Sequence, residues 1–410
     1  MKSKNQIPPQ RFRPACFAII QLVLKDVIED GRNADRAMQF HFRNSVELSM
    51  DDKAFVAHTC YSIFRYWYFL RKMAQGEDAV PPSYKRIIGI YGIWKAAFEV
   101  PRGYLSTNDL EKFTTLVENW ANEEANHSSF DPMFTDLLAK SYGENQCIKI
   151  LNSLNQSPAF YIRINTLKTD MNYIFNSMLH QNIQVEKISH NPEALVVKNR
   201  ETVFQLDDFK KGFFEVQDIS SQEVARFCDV KPGMRVIDAC AGTGGKTLQL
   251  ASLMNNKGRI ISFEIKEDKL SELKKRARRA GVDIIETKWI ESSKSYKRME
   301  ASADLVLIDA PCTGTGVYRR NSDAKVKFSL QNLHDLMSIQ ENIFTSYSKL
   351  MKPDGRLVFS TCSVLKEEGE DQVNTFLSKH SDWELVKEKR IFPYDLNGDG
   401  FYMAQLKRKN

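Results

Sequence analysis

From about Val224 onwards, short runs of Val, Ile and Leu alternate with amphipathic helical patterns, and few architectures accept that order. The runs lie at 235–239, 259–264, 283–287, 304–309 and 356–361. Parallel strands buried on both faces read as near-continuous apolar runs, and each needs a helical crossover to reach the next. The pattern therefore predicts an α/β, Rossmann-like domain with a doubly wound, mostly parallel sheet. Residues 17–154 read differently. Apolar side chains recur there at helical spacing, as in Phe17, Ile20, Leu24, Val27 and Ile28, in Val56, Cys60, Ile63, Phe64 and Trp67, and in Leu110, Phe113, Val117 and Trp120. An all-α bundle is expected, with its aromatic stripes serving as core. Between the two, alternating stretches at 160–165 and 194–197 flank a helical segment at 173–179, which suits a small α+β module. The expected organisation is multidomain, with boundaries at 1–155, 156–223 and 224–410. A chain of 410 residues is longer than one hydrophobic core usually organises.

Composition excludes several classes. No apolar run approaches the roughly 18–20 residues of a membrane span, and residues 1–14 lack the apolar core of a secretion signal. A soluble cytoplasmic protein with no membrane partner is expected, as a monomer. The balance of 58 Lys and Arg against 52 Asp and Glu, a net charge of +6, admits nucleic-acid binding without demonstrating it. The cysteines, Cys16, Cys60, Cys147, Cys228, Cys240, Cys312 and Cys362, are odd in number and contain no CxxC pair. That argues against a disulfide framework and against a metal site, and leaves thiol chemistry.

The first strand of the sheet runs into Asp238-Ala239-Cys240-Ala241-Gly242-Thr243-Gly244-Gly245-Lys246-Thr247, followed by a helical pattern at 248–253. A phosphate-binding GxxxxGKT loop would need glycine where Cys240 stands, and GxGxxG would need its third glycine at Thr247, so both nucleotide fingerprints fail on spacing. What survives is a glycine turn with Glu264 22 residues beyond Gly242, at the end of the second strand, where a carboxylate can accept from two ribose hydroxyls. That combination suits a nucleoside cofactor without a pyrophosphate, of which S-adenosyl-L-methionine is the commonest. Glycines that serve only tight packing are the alternative, and Asp238 is either a cofactor contact or a helix cap.

Two further strands end in thiols on the same edge, at Asp309-Ala310-Pro311-Cys312 with Gly314 and Gly316, and at Ser360-Thr361-Cys362-Ser363 with Glu367-Glu368. Together with the glycine loop, these motifs resemble those of RNA (cytosine-5)-methyltransferases of the ribosomal RNA methyltransferase B type. Phe214-Glu215-Val216-Gln217-Asp218, Arg163-Ile164-Asn165-Thr166-Leu167-Lys168 and Asp399-Gly400-Phe401 extend the similarity over roughly 158–408. The helical N-terminal part is similar in pattern to the NusB-like RNA-binding domain of bacterial members.

The resemblance implies an enzyme and its chemistry. Cytosine C5 is too weak a nucleophile to take a methyl group directly, so a thiolate adds at C6 and activates C5, while an acid near N3 offsets the charge developing on the ring. By resemblance Cys362 is the nucleophile, Cys312 assists product release, Asp309 is the acid, and Lys246 lies near the pocket, where a cation can lower a thiol pKa. The cofactor contacts implied are Asp238, Cys240, Ala241, Gly242, Thr243, Gly244, Gly245, Lys246, Glu264 and Asp309. Gly242-Thr243 replaces the Ala-Pro usual in the family. After the third strand, Lys288-Trp289-Ile290-Glu291 replaces an aspartate that meets the adenine edge, with Glu291 the nearest substitute. Glu367-Glu368 is expected to stabilise the N-terminus of the helix that follows.

RNA, with small-subunit ribosomal RNA first, is the implied partner. Arg319 and Arg320 directly follow the Pro-Cys loop, and Arg163, Asn165 and Lys168 would extend a phosphate track from the middle module. The basic run Lys274, Lys275, Arg276, Arg278 and Arg279 reads as a solvated helix face. The competing readings are the same chemistry on transfer RNA and a non-catalytic RNA-binding assembly factor, against which the intact thiols weigh.

Overall fold

The computed structural model describes residues 12–75, 81–117, 127–199 and 203–409. Its chain divides into two compact units, Met1–Gln156 with Tyr318–Ser329, and Ser157–Val317 with Leu330–Asn410.

The described part of the first unit is helical: α1 (Pro14–Ile28), α2 (Ala34–Arg43), α3 (Met50–Arg65), α4 (Trp67–Gln75), α5 (Tyr84–Lys95), α6 (Thr107–Val117), α7 (Pro132–Tyr142) and α8 (Glu144–Leu154). The ends are fixed by side chains that satisfy the free N–H groups of the first turns. Asn33 caps α2, Ser49 and Asp52 form a reciprocal capping box on α3, and Asp131 followed by Pro132 starts α7. The expected stripes form one core of Phe17, Ile20, Leu24, Val56, Cys60, Ile63, Phe64 and Phe113. Trp120 and the side chain of Val117 lie outside the described residues.

The segment Tyr318–Ser329, expected with the C-terminal domain, is part of this unit's interior. Arg319 is fully buried and donates through Nη2 to Ser153 O at 2.8 Å, while Arg65 Nη2 donates to Arg319 O at 2.9 Å. Lys325 is also buried, with Nζ 2.6 Å from both Arg65 O and Asn155 Oδ1 and 3.4 Å from the centre of the Phe130 ring. Burial, with Arg65 adding repulsion, holds the Lys325 pKa well below the usual lysine range.

The second unit holds two sheets. The smaller is antiparallel in the order β2 (Val185–Ile188), β3 (Asn191–Val197), β1 (Phe160–Ile164), β4 (Phe214–Val216), with α9 (Met171–His180) against it. The larger runs in the order β10 (Trp383–Ile391), β11 (Phe401–Arg408), β9 (Met351–Thr361), β8 (Ala303–Asp309), β5 (Arg235–Asp238), β6 (Arg259–Glu264), β7 (Ile285–Trp289). Strands β5 to β9 are parallel and β11 is antiparallel to both its neighbours, so the mostly parallel sheet expected from the sequence is present. Its longer helices are α10 (Ile219–Phe227), α11 (Gly245–Leu253), α12 (Glu267–Ala280), α13 (Leu330–Ser348) and α14 (Glu370–Lys379). Along the strands alternate residues enter opposite cores, Ile237, Ile261, Val306 and Leu357 on one face and Val236, Ile260, Leu305 and Val358 on the other. Strand β7 starts two residues later than expected, because Gly281 in the left-handed region and the Val282 N–H bond to Ala277 O first close α12.

Candidate active site

Strand β5 lies between β6 and β8, so the chain leaves it in opposite directions and opens a crevice at the carboxyl edge. The glycine loop fills that edge. Gly242 (φ +56°) and Gly244 (φ +87°) hold the left-handed region, and a Cβ on Gly244 would lie 2.6 Å from Leu273. Asp238 is buried and accepts from Thr247 Oγ1 at 2.6 Å, and burial raises its pKa to about 6.

Two cavities meet at Cys240, Gly242 and Asp309. The larger, about 520 Å³, has Glu264, Lys266 and Lys269 on one side and Ile265, Ile290, Pro311, Ile339, Ile343 and Tyr347 as apolar walls. The Glu264 carboxylate is set by its Oε1, which accepts from the N–H of Ile265 at 2.9 Å and of Lys266 at 3.0 Å. Its apolar walls, with the Glu264 carboxylate opposite them, leave room that a nucleoside could occupy. The smaller, about 220 Å³, is lined by Ser221, Asp238, Ala241, Thr243, Gly245 and Lys246 besides the shared residues. The residue set fits S-adenosylmethionine divided between an adenosine cavity and an amino-acid cavity. Glu291 is exposed and does not line either cavity; the side chain that does so after β7 is Ile290. The expected substitute for the family's aspartate is therefore corrected to an apolar contact. Ile339, Ile343 and Tyr347 were not singled out in the sequence, although their i, i+4, i+8 spacing on α13 puts them on one face.

Beyond the cavities the two cysteine loops are fastened to each other. Gly316 N–H donates to Cys362 O at 3.0 Å, Thr315 Oγ1 and Ser363 Oγ are 2.9 Å apart, and a Cβ on Gly316 would meet Gly400 O at 2.2 Å. Glu368 is buried and accepts from Thr313 N–H at 2.8 Å, from Thr313 Oγ1, and from Gln340 Nε2 at 3.1 Å, while its own carbonyl accepts from Thr361 Oγ1 at 3.0 Å. Its carboxylate thus ties the Pro-Cys loop to α13, which replaces the helix-terminal role expected for it. These fastenings bring Cys312 Sγ and Cys362 Sγ to 3.4 Å. The Cys312 thiol is pushed well above its usual range by its hydrogen bond to Cys362 and by burial.

Lys246 Nζ donates to Asp309 Oδ2 at 2.7 Å and lies 5.1 Å from the centre of the Phe401 ring. Burial opposes its charge, but the Asp309 carboxylate outweighs that effect, with Cys362 and Asp238 adding, and the lysine pKa is raised. Cys240 stays a neutral thiol, held far above its usual range by burial and by the nearby carboxylates.

The expected phosphate track is not an exposed surface. Arg163 is buried, with Nη1 donating to Gln217 Oε1 and to Gly245 O, so it braces α11 from below. Asn165 is buried as well and donates to Gly212 O and Ala280 O, each at 2.8 Å. Lys168 Nζ is exposed but caps carbonyls of Lys211 and Arg279. Arg319 belongs to the helical interior, and Arg320 next to it is half-buried. Buried guanidinium and amide groups that already hold carbonyls cannot pair with a backbone phosphate, so Arg163, Asn165 and Arg319 are corrected to internal braces.

Residues 225–407 match the family model for the 16S rRNA methyltransferase RsmB/F, and residues 133–203 match the ferredoxin-like domain of the same methyltransferases. The probable ribosomal RNA small subunit methyltransferase B of Bacillus subtilis is 30% identical over 72% of this chain and 69% of its own length. The ribosomal RNA small subunit methyltransferase B of Pectobacterium carotovorum is 27% identical over 95% and 97%. Among solved structures, that of PH0851 superposes with a TM-score of 0.79 at 22% identity over 98% of this chain and 100% of that one, a likeness of fold. Sheet order, glycine loop and family model together define a methyltransferase whose methyl donor is S-adenosylmethionine. Within that class the chain belongs to the RsmB/F family of rRNA methyltransferases.

Proposed function

We propose that this protein methylates C5 of a cytosine in small-subunit ribosomal RNA through a covalent bond between Cys362 Sγ and C6 of the base. The observation that carries the reading is the thiol pair, 3.4 Å apart, beside the Lys246–Asp309 pair and next to a cofactor cavity. S-adenosylmethionine supplies the methyl group as a sulfonium. The Cys312 thiol keeps its proton and lies 3.4 Å from Cys362 Sγ, so in this reading Cys362 is the sulfur that attacks and Cys312 the one that assists. As Cys362 Sγ bonds to C6, the electrons of the C5–C6 double bond become available at C5, and the proton held between Lys246 Nζ and Asp309 Oδ2 offsets charge at N3. After methyl transfer the C5 proton leaves to solvent, its bonding electrons re-form the C5–C6 double bond, and the bond between C6 and Sγ breaks with its electrons on the Cys362 sulfur, toward which the Cys312 S–H can turn as a hydrogen-bond donor. Because C5 and C6 are hidden in a stacked helix, the base comes from a loop or is flipped out. A monomer in the cytoplasm is the setting this reading carries.

The test is mass spectrometry of nucleosides from 16S rRNA incubated with the protein and labelled cofactor. Wild-type protein yields 5-methylcytidine, Cys362→Ala yields none, and Cys312→Ala accumulates a protein–RNA adduct on a denaturing gel. Full activity of Cys362→Ala removes the nucleophile assignment, and label appearing in transfer RNA instead moves the substrate.

A further inference from the structure

The basic run on α12 does not behave as one solvated face. Lys274, Lys275 and Arg278 are exposed, but Arg276 and Arg279 turn inward. Arg276 Nη2 and Arg279 Nη2 both donate to the buried Glu215 carboxylate of β4, at 2.9 Å and 2.5 Å. Arg276 Nη1 also donates to Thr243 O at 2.9 Å and Thr243 Oγ1 at 3.1 Å. The space they frame is a cavity of about 280 Å³, lined chiefly by Phe204, Phe209, Thr243, Glu272, Arg276 and Arg279.

Its walls are unusual for a structural gap. The Arg279 guanidinium carbon lies 4.2 Å from the centre of the Phe209 ring, and Phe204 meets Phe209 edge to face at 5.3 Å. Phe204 keeps 55% of its surface exposed, with a ring at the lining of the cavity. An exposed Phe204 ring at a cavity whose wall also carries the Arg279 guanidinium, itself packed on Phe209, offers a face on which an unpaired nucleobase can stack. The volume is near the lower end for small-molecule sites, about 300 Å³, and suits a single base rather than a whole nucleoside cofactor. Thr243 lines both this cavity and the one that contains Lys246 and Asp309, so the two lie on either side of one glycine-loop residue. The exposed Lys275 and Arg278 flank the inward-facing stripe of α12 and offer charge to a phosphate backbone.

We propose that this cavity is a subsite for the RNA strand, taking one unpaired base near the target cytosine by stacking on Phe204. The inference rests on the RNA-methyltransferase reading and adds a place where unpaired RNA is held outside the reacting centre. It also relocates the RNA contact from the buried Arg163 and Arg319 to a surface that RNA can reach.

The experiment compares the wild type with Phe204→Ala and Phe204→Trp, using 16S rRNA transcript as the probe. Binding is read by mobility shift, and methyl transfer by KM for RNA, KM for S-adenosylmethionine and kcat. Phe204→Ala is expected to raise both the RNA dissociation constant and the RNA KM at least about fivefold, the low end for losing one base–aromatic stack, with the cofactor KM and kcat unchanged. Phe204→Trp, which keeps a stacking face, restores wild-type values. Unchanged RNA binding in Phe204→Ala overturns the subsite, and so does a cofactor KM that rises in step with the RNA KM. Wild-type protein that binds the transcript but forms no 5-methylcytidine defeats the cytosine reading alone, since the binding comparison still decides the subsite.

Discussion

Glu264 and Asp238 sit on adjacent strands at the same edge, yet their environments assign them different work. Glu264 is fixed by two backbone N–H groups and lines the larger cavity at the glycine loop. Glu264→Ala is expected to weaken S-adenosylmethionine binding by about 10- to 100-fold, the effect of losing charge-assisted hydrogen bonds of about 1.5–3 kcal/mol, measured by calorimetry. Asp238 has a pKa raised by burial from 3.8 to about 6. The folded protein therefore holds this proton more tightly than the unfolded chain, and stability at this residue falls as pH rises from about 4 to about 6. The loss is on the order of 3 kcal/mol at most. Asp238→Asn, which still accepts from Thr247, should remove that slope from urea-denaturation curves recorded across the window; an unaltered slope would place the titration elsewhere. Sequence reading reached these residues because spacing from the glycine turn fixes which side chains end a strand. It misplaced Glu291 because the chain turns after Trp289, and the last residue to face inward is Ile290.

At the scale of elements, the thiol pair is produced by two loops whose separate sequences say little about their mutual distance. Strand order makes β8 and β9 neighbours, and hydrogen bonds from Thr313, Thr315 and Gly316 then hold the loops together. The strands, the glycine loop and both cysteines were legible, since each depends on local pattern. The role of Glu368 was not, because an acidic residue before a helix reads locally as a charge at a helix end, and only long-range packing buries it against Thr313 and Gln340. Arg163 and Asn165 were misread for the same reason: a polar residue in a strand, or just beyond its end, carries no local mark of what it will face. Glu368→Ala leaves the Thr313 N–H and hydroxyl and the Gln340 amide without their acceptor, so a destabilisation on the order of 3 kcal/mol is expected by urea denaturation. It should also lower kcat and raise the KM for S-adenosylmethionine, because the clasp joins the Pro-Cys loop to α13 and both carry walls of the cofactor cavity, Pro311 on one and Ile339, Ile343 and Tyr347 on the other.

On the scale of the whole molecule, the helical unit is discontinuous in the chain. Its interior is completed by Tyr318–Ser329, which follows directly on the loop carrying Cys312. A fragment beginning at Ser157 would leave Tyr318, Arg319 and Lys325 without the helices that bury them. Limited proteolysis of such a fragment should cut first within 318–329, whereas the full chain should resist cutting there; equal resistance would show that this segment holds its shape without α3 and α8. The boundary was not legible because neither the motif before it nor α13 after it changes in composition where the chain passes between units.

That discontinuity also sets a schedule for synthesis. Gln156 is translated 162 residues before Tyr318, a delay of about 8–30 s at ordinary elongation rates. During that interval the carbonyls of Ser153 and Arg65 lack the buried cations that later meet them. The first helices made are thus among the last to be finished. By the time the helical unit is complete, both the glycine loop and Cys312 have already been made, and a ribosome that stalls earlier releases neither a finished helical unit nor a working methyltransferase.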